Sequence, residues 1–219
     1  MEVKKAKAIY KALSNHISPK RLQRFEEVLK NRTDYICVAV EDVFQMHNTS
    51  AVIRSCDVFG FQSAHLIEGN VGIRLDKNIA MGAQQWVDTT RYESSTDCIN
   101  QLRAKGYQIV ATTPHKPAVS LNDFVIHQKT AVFFGTEKKG LSEEVLTKAD
   151  LHLRIDMMGF SESLNISVAA AIALQHLSQE LRTTKIDWKL PENRQWQLRA
   201  EWIKKSIKDA DKILERYGI

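Results

Sequence analysis

The sequence lacks long apolar runs. None approaches the roughly 20 residues a bilayer-spanning helix needs, and the opening stretch MEVKKAKAIY has no apolar segment of the kind a secretion signal carries. A cytoplasmic protein is expected. Cysteine is sparse. Cys37, Cys56 and Cys98 stand far apart without C-x-x-C spacing, which argues against a disulfide framework or a zinc site and for reduced thiols. No G-x-G-x-x-G occurs, which disfavours a dinucleotide enzyme and a Rossmann-type methyltransferase. The G-x4-G of Gly135–Gly140 fails as a P-loop, because Leu141 stands where the phosphate-binding lysine belongs. There is no Ser/His/Asp order, no H-E-x-x-H and no calcium-loop pattern, and the seven histidines are scattered. Metal chemistry is therefore not indicated.

Charge is present but unevenly placed. The net +5 is the sum of +6 on residues 1–33, −4 on residues 34–182 and +3 on residues 183–219. Basic ends flanking a mildly acidic centre suit a polyanion, most simply a nucleic acid gripped by the ends. Ser18 and Pro19 read as N-cap and first residue of a helix with Leu22, Phe25, Val28 and Leu29 on one stripe. Lys20, Arg21, Arg24, Lys30 and Arg32 occupy the rest and are the expected phosphate contacts. At the other end, about 192–217, Trp196, Ile203, Ile207, Ala210, Leu214 and Tyr217 recur at three- and four-residue steps, which predicts one amphipathic helix needing a partner surface.

Between the ends, apolar strands alternate with helices. Strands are expected at 35–41, 64–68, 86–90, 107–113, 130–135 and 151–155. Helices are expected after Asn48, at 96–105, after Ser142 and from about Ser163 to Arg182, with a short helical piece at 76–83. This is the pattern of an α/β fold with a parallel sheet and flanking helices. Three segments follow: a basic N-terminal helical extension (1–33), a central domain (34–182) and a C-terminal amphipathic extension (183–219).

The stretch Ile155–Ser167 stands out. A strand gives way to a polar loop holding Ser161, Ser163 and Asn165, and then to an apolar helix, the place where α/β proteins bind ligands. Its structural reading is a capped core helix with Ser163 as N-cap. Two more polar loops accompany it: Asn48 with Arg54 six residues on, and Gly135-Thr-Glu137-Lys-Lys-Gly140.

Together these three loops resemble the motif set of the SPOUT class of RNA methyltransferases, in particular the tRNA guanosine-18 2′-O-methyltransferase group. Asn48–Arg54 is similar to that family's first motif, Phe133–Gly140 to its second and Ile155–Ser167 to its third. The resemblance covers roughly the 20s to 182. It implies a C-terminal trefoil knot holding S-adenosylmethionine, largely through backbone atoms at Thr112, Gly135, Ile155 and Leu164. It implies a homodimer, which would cover the apolar faces of helices 47–60 and 192–217. It also implies catalytic roles for Arg54, Asn48, Glu137, Ser163 and Asn165, with Asn48 orienting Arg54 or the ribose and Glu137 pairing with Arg54 or a neighbouring loop. Asp156 departs from the family's usual proline, Ser161-Glu162 replaces a more apolar pair, and Phe44-Gln-Met-His replaces a basic, proline-containing run. The implied activity is 2′-O-methylation of tRNA at the D-loop guanosine. Ribosomal RNA, the anticodon loop, or a catalytically silent RNA-binding dimer are the alternatives.

Overall fold

The computed structural model describes residues 1–41, 46–68, 80–115 and 117–219. The expected helical piece at 76–83 falls largely outside these residues, as do Phe44 and Gln45. The chain divides into two compact units, Asp34–Trp188 and a second in which Met1–Thr33 joins Lys189–Ile219.

The first unit is built on one seven-stranded sheet. Its strands are β1 (Ile36–Glu41), β2 (Ser63–Ile67), β3 (Asp88–Tyr92), β4 (Gln108–Thr112), β5 (Val119–Ser120), β6 (Thr130–Phe134) and β7 (Leu151–Arg154). The order is β3-β2-β1-β6-β4-β7-β5, and every pairing is parallel. β1 and β6 are buried at every position, as central parallel strands covered on both faces must be. Alternation sends Val38, Val40, Val132 and Phe134 to one face, under α3 (Met46–Phe59) and α6 (Ile166–Thr183). Cys37, Ala39, Ala131 and Phe133 go to the other, under α4 (Ser95–Ala104) and α5 (Glu143–Lys148). All three cysteines are buried. Burial pushes the Cys98 thiol up to about 12 and the Cys37 thiol well above its ordinary value, so neither is a nucleophile.

The consequence for function is directional. Parallel strands deliver all their C-terminal ends to one edge, and β1, β6, β4 and β7 are adjacent in the sheet. The segments leaving these four strands therefore meet. They are the ones that carry the three polar motifs and Thr112.

Three boundaries differ from the sequence pattern. α6 starts at Ile166, and its N-cap is Asn165, whose side chain accepts from the Ser167 N–H at 2.9 Å. Asn is as good a cap as Ser, so Ser163 stays in the loop. The third strand begins at Asp88, because a 3-10 turn at Ala83–Gln85 ends on Trp86. β5 is only two residues long, too short to leave a pattern. No described helix is long and apolar enough to cross a membrane.

The second unit is helical: α1 (Val3–Ser14), α2 (Pro19–Leu29), α7 (Glu192–Ser206) and α8 (Ala210–Arg216). Ser18 caps α2, accepting from the Arg21 N–H at 3.3 Å, with Pro19 in the first turn. α1 packs along α7, and Ile203, Ala210 and Leu214 of the expected stripe are buried within this unit, while Tyr217 is 54% exposed. Trp202 is fully buried, its ring 5.8 Å from that of Phe25. Arg199 lies over Trp196 at 4.7 Å and grips Glu26 through two N–H···O bonds of 2.7 and 2.6 Å. The single helix expected over 192–217 is interrupted. Ile207 is extended, and Asp209 takes a left-handed φ of 56°, a conformation that the short polar Asp side chain tolerates better than most.

Trp202→Ala should cost about 3–5 kcal/mol, read as a lower midpoint in urea unfolding. A midpoint equal to wild type would show that Trp202 is not a core residue of the helical unit.

Candidate active site

The segments leaving β4, β6 and β7 enclose a cavity of about 330 Å³. That lies at the small end of the range for sites that take a small organic ligand. Thr112, Gly135, Ile155 and Leu164, the four positions implied for the cofactor, all line it. Leu141, Leu153 and Ile166 add apolar wall, and Glu162 and Ser163 add polar groups. Thr112 is held by its own Oγ–H, which donates to the Phe133 carbonyl at 2.8 Å and so locks β4 to β6 above the cavity.

The wall formed by 135–141 is a closed loop. Thr136 and Gly140 exchange backbone hydrogen bonds at 3.0 and 2.9 Å, and Gly140 has a φ of 68°. Gly135 is required by close approach rather than by its own φ. A Cβ there would lie 2.1 Å from the Gly140 carbonyl carbon and 2.2 Å from the Leu141 nitrogen. A glycine-bounded loop of this kind presents backbone to a ligand, which suits recognition by main-chain atoms.

At the rim the three motifs join. Asn48 Nδ2–H donates to Glu137 Oε1 at 2.9 Å, and Asn165 Nδ2–H donates to Asn48 Oδ1 at 3.2 Å. Asn165 also donates to Glu137 Oε1. The Asn165 amide cannot turn over without loss, because its Oδ1 already accepts from the Ser167 N–H at 2.9 Å and the Ser167 Oγ–H at 2.5 Å. Both protons of interest therefore point at Glu137 and Asn48. Glu137 pairs with the neighbouring loops, and Asn48 turns inward to them. Neither orients Arg54.

The reason is helical geometry. Asn48 lies in the first turn of α3 and is 8% exposed. Arg54 is six residues on, about 240° round the helix, and is exposed. Arg54 makes no hydrogen bond or ion pair with another described residue, and it is not among the residues lining the cavity. Its guanidinium is free to meet a ligand arriving from outside. Ser163 is exposed on the cavity wall.

In the helical unit Lys20, Arg21, Arg24 and Lys30 are exposed, with Arg24 loosely paired to Glu27 at 3.3 Å. Arg32 is corrected. It is 1% exposed, with its guanidinium 5.7 Å over the Trp202 ring, so it is a core residue and not a phosphate contact. Charge alone gave no hint of this, because a cation above a buried indole reads in sequence like any surface cation.

The profile of the SpoU rRNA Methylase family matches residues 35–175. The chain belongs to this family. A tRNA (guanosine(18)-2'-O)-methyltransferase of Borreliella burgdorferi is 39% identical to it over 197 residues, 90% of each chain. The crystal structure of an A. aeolicus TrmH/SpoU tRNA modifying enzyme superposes with a TM-score of 0.79 at 27% identity, covering 87% of this chain and 98% of that one. The AdoMet-bound rRNA methyltransferase of Sinorhizobium meliloti gives a TM-score of 0.61 at 25% identity, over 69% of this chain and 58% of that one.

Asp156, where the resemblance implies a proline, has a physical account. Asp156 follows the cavity residue Ile155, accepts from Arg154 Nε–H at 2.8 Å and accepts from the Ser120 Oγ–H. Arg154 donates in turn to the Ala118 carbonyl. A side-chain clamp to β5 thus restrains the start of the third loop, where a proline would restrain it through φ. Met157 and His115 also line the cavity, and sequence reading passed over both. The only available signal was their place three residues beyond the ends of β4 and β7.

Gly135→Ala forces backbone apart at 135–141 and should lower stability by about 1–3 kcal/mol, with loss of S-adenosylmethionine binding in calorimetry. Wild-type melting and binding would show that the loop does not close as described.

Proposed function

We propose that this protein transfers the methyl group of S-adenosylmethionine to a ribose 2′-hydroxyl of tRNA, at the D-loop guanosine 18. The observation that carries the reading is the Asn48–Glu137–Asn165 network, which joins the three separate motifs at Glu137, a residue that lines the cavity. The Borreliella relative bears this activity in its name, at 39% identity over nine-tenths of both chains. The helical ends favour tRNA over ribosomal RNA. The likeness to the A. aeolicus tRNA-modifying enzyme covers 87% of this chain, more than the sheet unit of residues 34–188 alone can supply.

S-adenosylmethionine supplies an electrophilic methyl on a sulfonium. The residues that would hold it are Thr112, Gly135, Ile155 and Leu164, which line the cavity. The 2′-oxygen gains the methyl and gives up a proton, so it needs a partner for its developing negative charge. Arg54 fills that role, clamping the neighbouring phosphate and stabilising the oxygen. A guanidinium is not a usable base at neutral pH, so the proton passes to water. Glu137, Asn48 and Asn165 hold the three loops in register, and Ser163 meets the substrate from the cavity wall.

The family's knot belongs to the same proposal. So does a homodimer. Val58 on α3 and Val168 and Ile172 on α6 are exposed apolar residues on two helices that pack together, 66%, 45% and 41% exposed. A second copy of the chain would cover them. A cytoplasmic location fits a tRNA substrate.

The deciding experiment incubates the protein with labelled S-adenosylmethionine and an unmodified tRNA transcript, then maps 2′-O-methyl by nuclease digestion and mass spectrometry. Label at guanosine 18 is expected, and label confined to ribosomal RNA would overturn the substrate. Arg54→Ala should lower kcat by roughly 10²–10³ with cofactor affinity within twofold, because Arg54 lies outside the cavity lining. Comparable losses of both would place Arg54 in the cofactor site instead. Neutralising Lys20 and Arg24 together should reduce the slope of log affinity against log salt by about 1.4–1.8. An unchanged slope would remove the two from the RNA interface.

A further inference from the structure

β1 is apolar until its last residue, which is Glu41, only 4% exposed. A carboxylate is costly to bury unless donors surround it, and here three do. The Ser142 N–H donates to Oε2 and the Ser142 Oγ–H to Oε1, each at 2.7 Å, and the Ser95 Oγ–H also donates to Oε1. Ser142 sits directly after Leu141, where the loop walling the cavity ends, and it caps α5 by accepting from the Val145 N–H at 3.3 Å. Ser95 is the first residue of α4. One carboxylate thus pins the exit of the 135–141 loop and the start of the neighbouring helix to the end of the central strand.

The sheet itself has no need of this charge, since the strand beside it ends in Phe134. A buried acid at this point is explained by what it holds. The loop is fixed at its entry by the close approach at Gly135, and in its middle by Asn48 and Asn165 on Glu137. Its exit has Glu41.

We infer that Glu41 is a positioning residue for the cofactor: it presets the 135–141 backbone so that binding does not have to order it. The inference rests on the cavity being the S-adenosylmethionine site. It takes a residue outside the cavity lining and seven positions before Asn48, where the first motif begins, and gives it a task in the second motif's loop.

The test compares wild type with Glu41→Gln, which keeps volume but aims an amide N–H₂ at the Ser142 donors, and with Ser142→Ala, which removes only the hydroxyl. Amide hydrogen exchange is measured without ligand, and S-adenosylhomocysteine and tRNA affinities are measured separately. Exchange across 136–142 should rise about tenfold in Glu41→Gln, and the S-adenosylhomocysteine Kd by a similar factor, the size expected for lost hydrogen bonds to a charged group. The tRNA Kd should stay within twofold, and exchange in β2 and β3 should stay at wild-type rates. Ser142→Ala should show the same pattern, smaller. Unchanged exchange at 136–142, or exchange raised equally through the whole sheet unit, would overturn the inference. Wild-type protein that fails to bind S-adenosylhomocysteine would sink the reading of the cavity, while the exchange data would still report whether Glu41 anchors the loop.

Discussion

The Glu137 carboxylate is the point on which the site depends. One oxygen takes amide protons from Asn48 and Asn165, residues 89 and 28 positions away in sequence. Hydrogen bonds to an ionised acceptor are roughly twice as strong as neutral ones. They are also directional here, because Asn165 has its oxygen committed to Ser167 and Asn48 has its oxygen committed to Asn165. The polarity of the network runs one way, toward the carboxylate. The first turn of α3, the 135–141 loop and the start of α6 are held together at one carboxylate.

The sheet makes this possible. With every strand parallel, the C-terminal ends share an edge, and the order β1-β6-β4-β7 sets the motif-bearing ends side by side. Burial on both faces leaves the edge as the place where polar side chains can gather. Chemistry then divides by location. In the proposed function the cavity takes the cofactor, exposed Arg54 on α3 takes the RNA, and the basic helical unit supplies charge that would pair with phosphate whatever the sequence.

Much of this was legible in the residues. Runs such as Cys37–Val40 and Ala131–Phe134 are too uniformly apolar for anything but central strands, and the resemblance implied the four positions Thr112, Gly135, Ile155 and Leu164 that line the cavity. The trio of Asn48, Glu137 and Asn165 came from motif resemblance, and the structure supplies the bonds. What stayed hidden has local causes. Ser163 and Asn165 are both competent caps two residues apart, and only the backbone decides between them. Arg32 looks like its basic neighbours until Trp202 is placed beneath it, and Trp202 itself fell outside the three- and four-residue stripe chosen for that helix. Glu41 reads only as the last residue of an apolar strand. Its burial depends on serines 54 and 101 positions away, separations that no local pattern reports.

The most direct measurement is a double-mutant cycle on methyl transfer with Asn48→Ala, Asn165→Ala and the pair. If Glu137 unites the loops, either single change already breaks the rim. The two losses should then fail to add, with a coupling of about 0.5–3 kcal/mol that disappears when the cycle is repeated on Glu137→Ala. Strict additivity in the presence of Glu137 would mean that the loops act independently, and the rim would then be three local arrangements rather than one site.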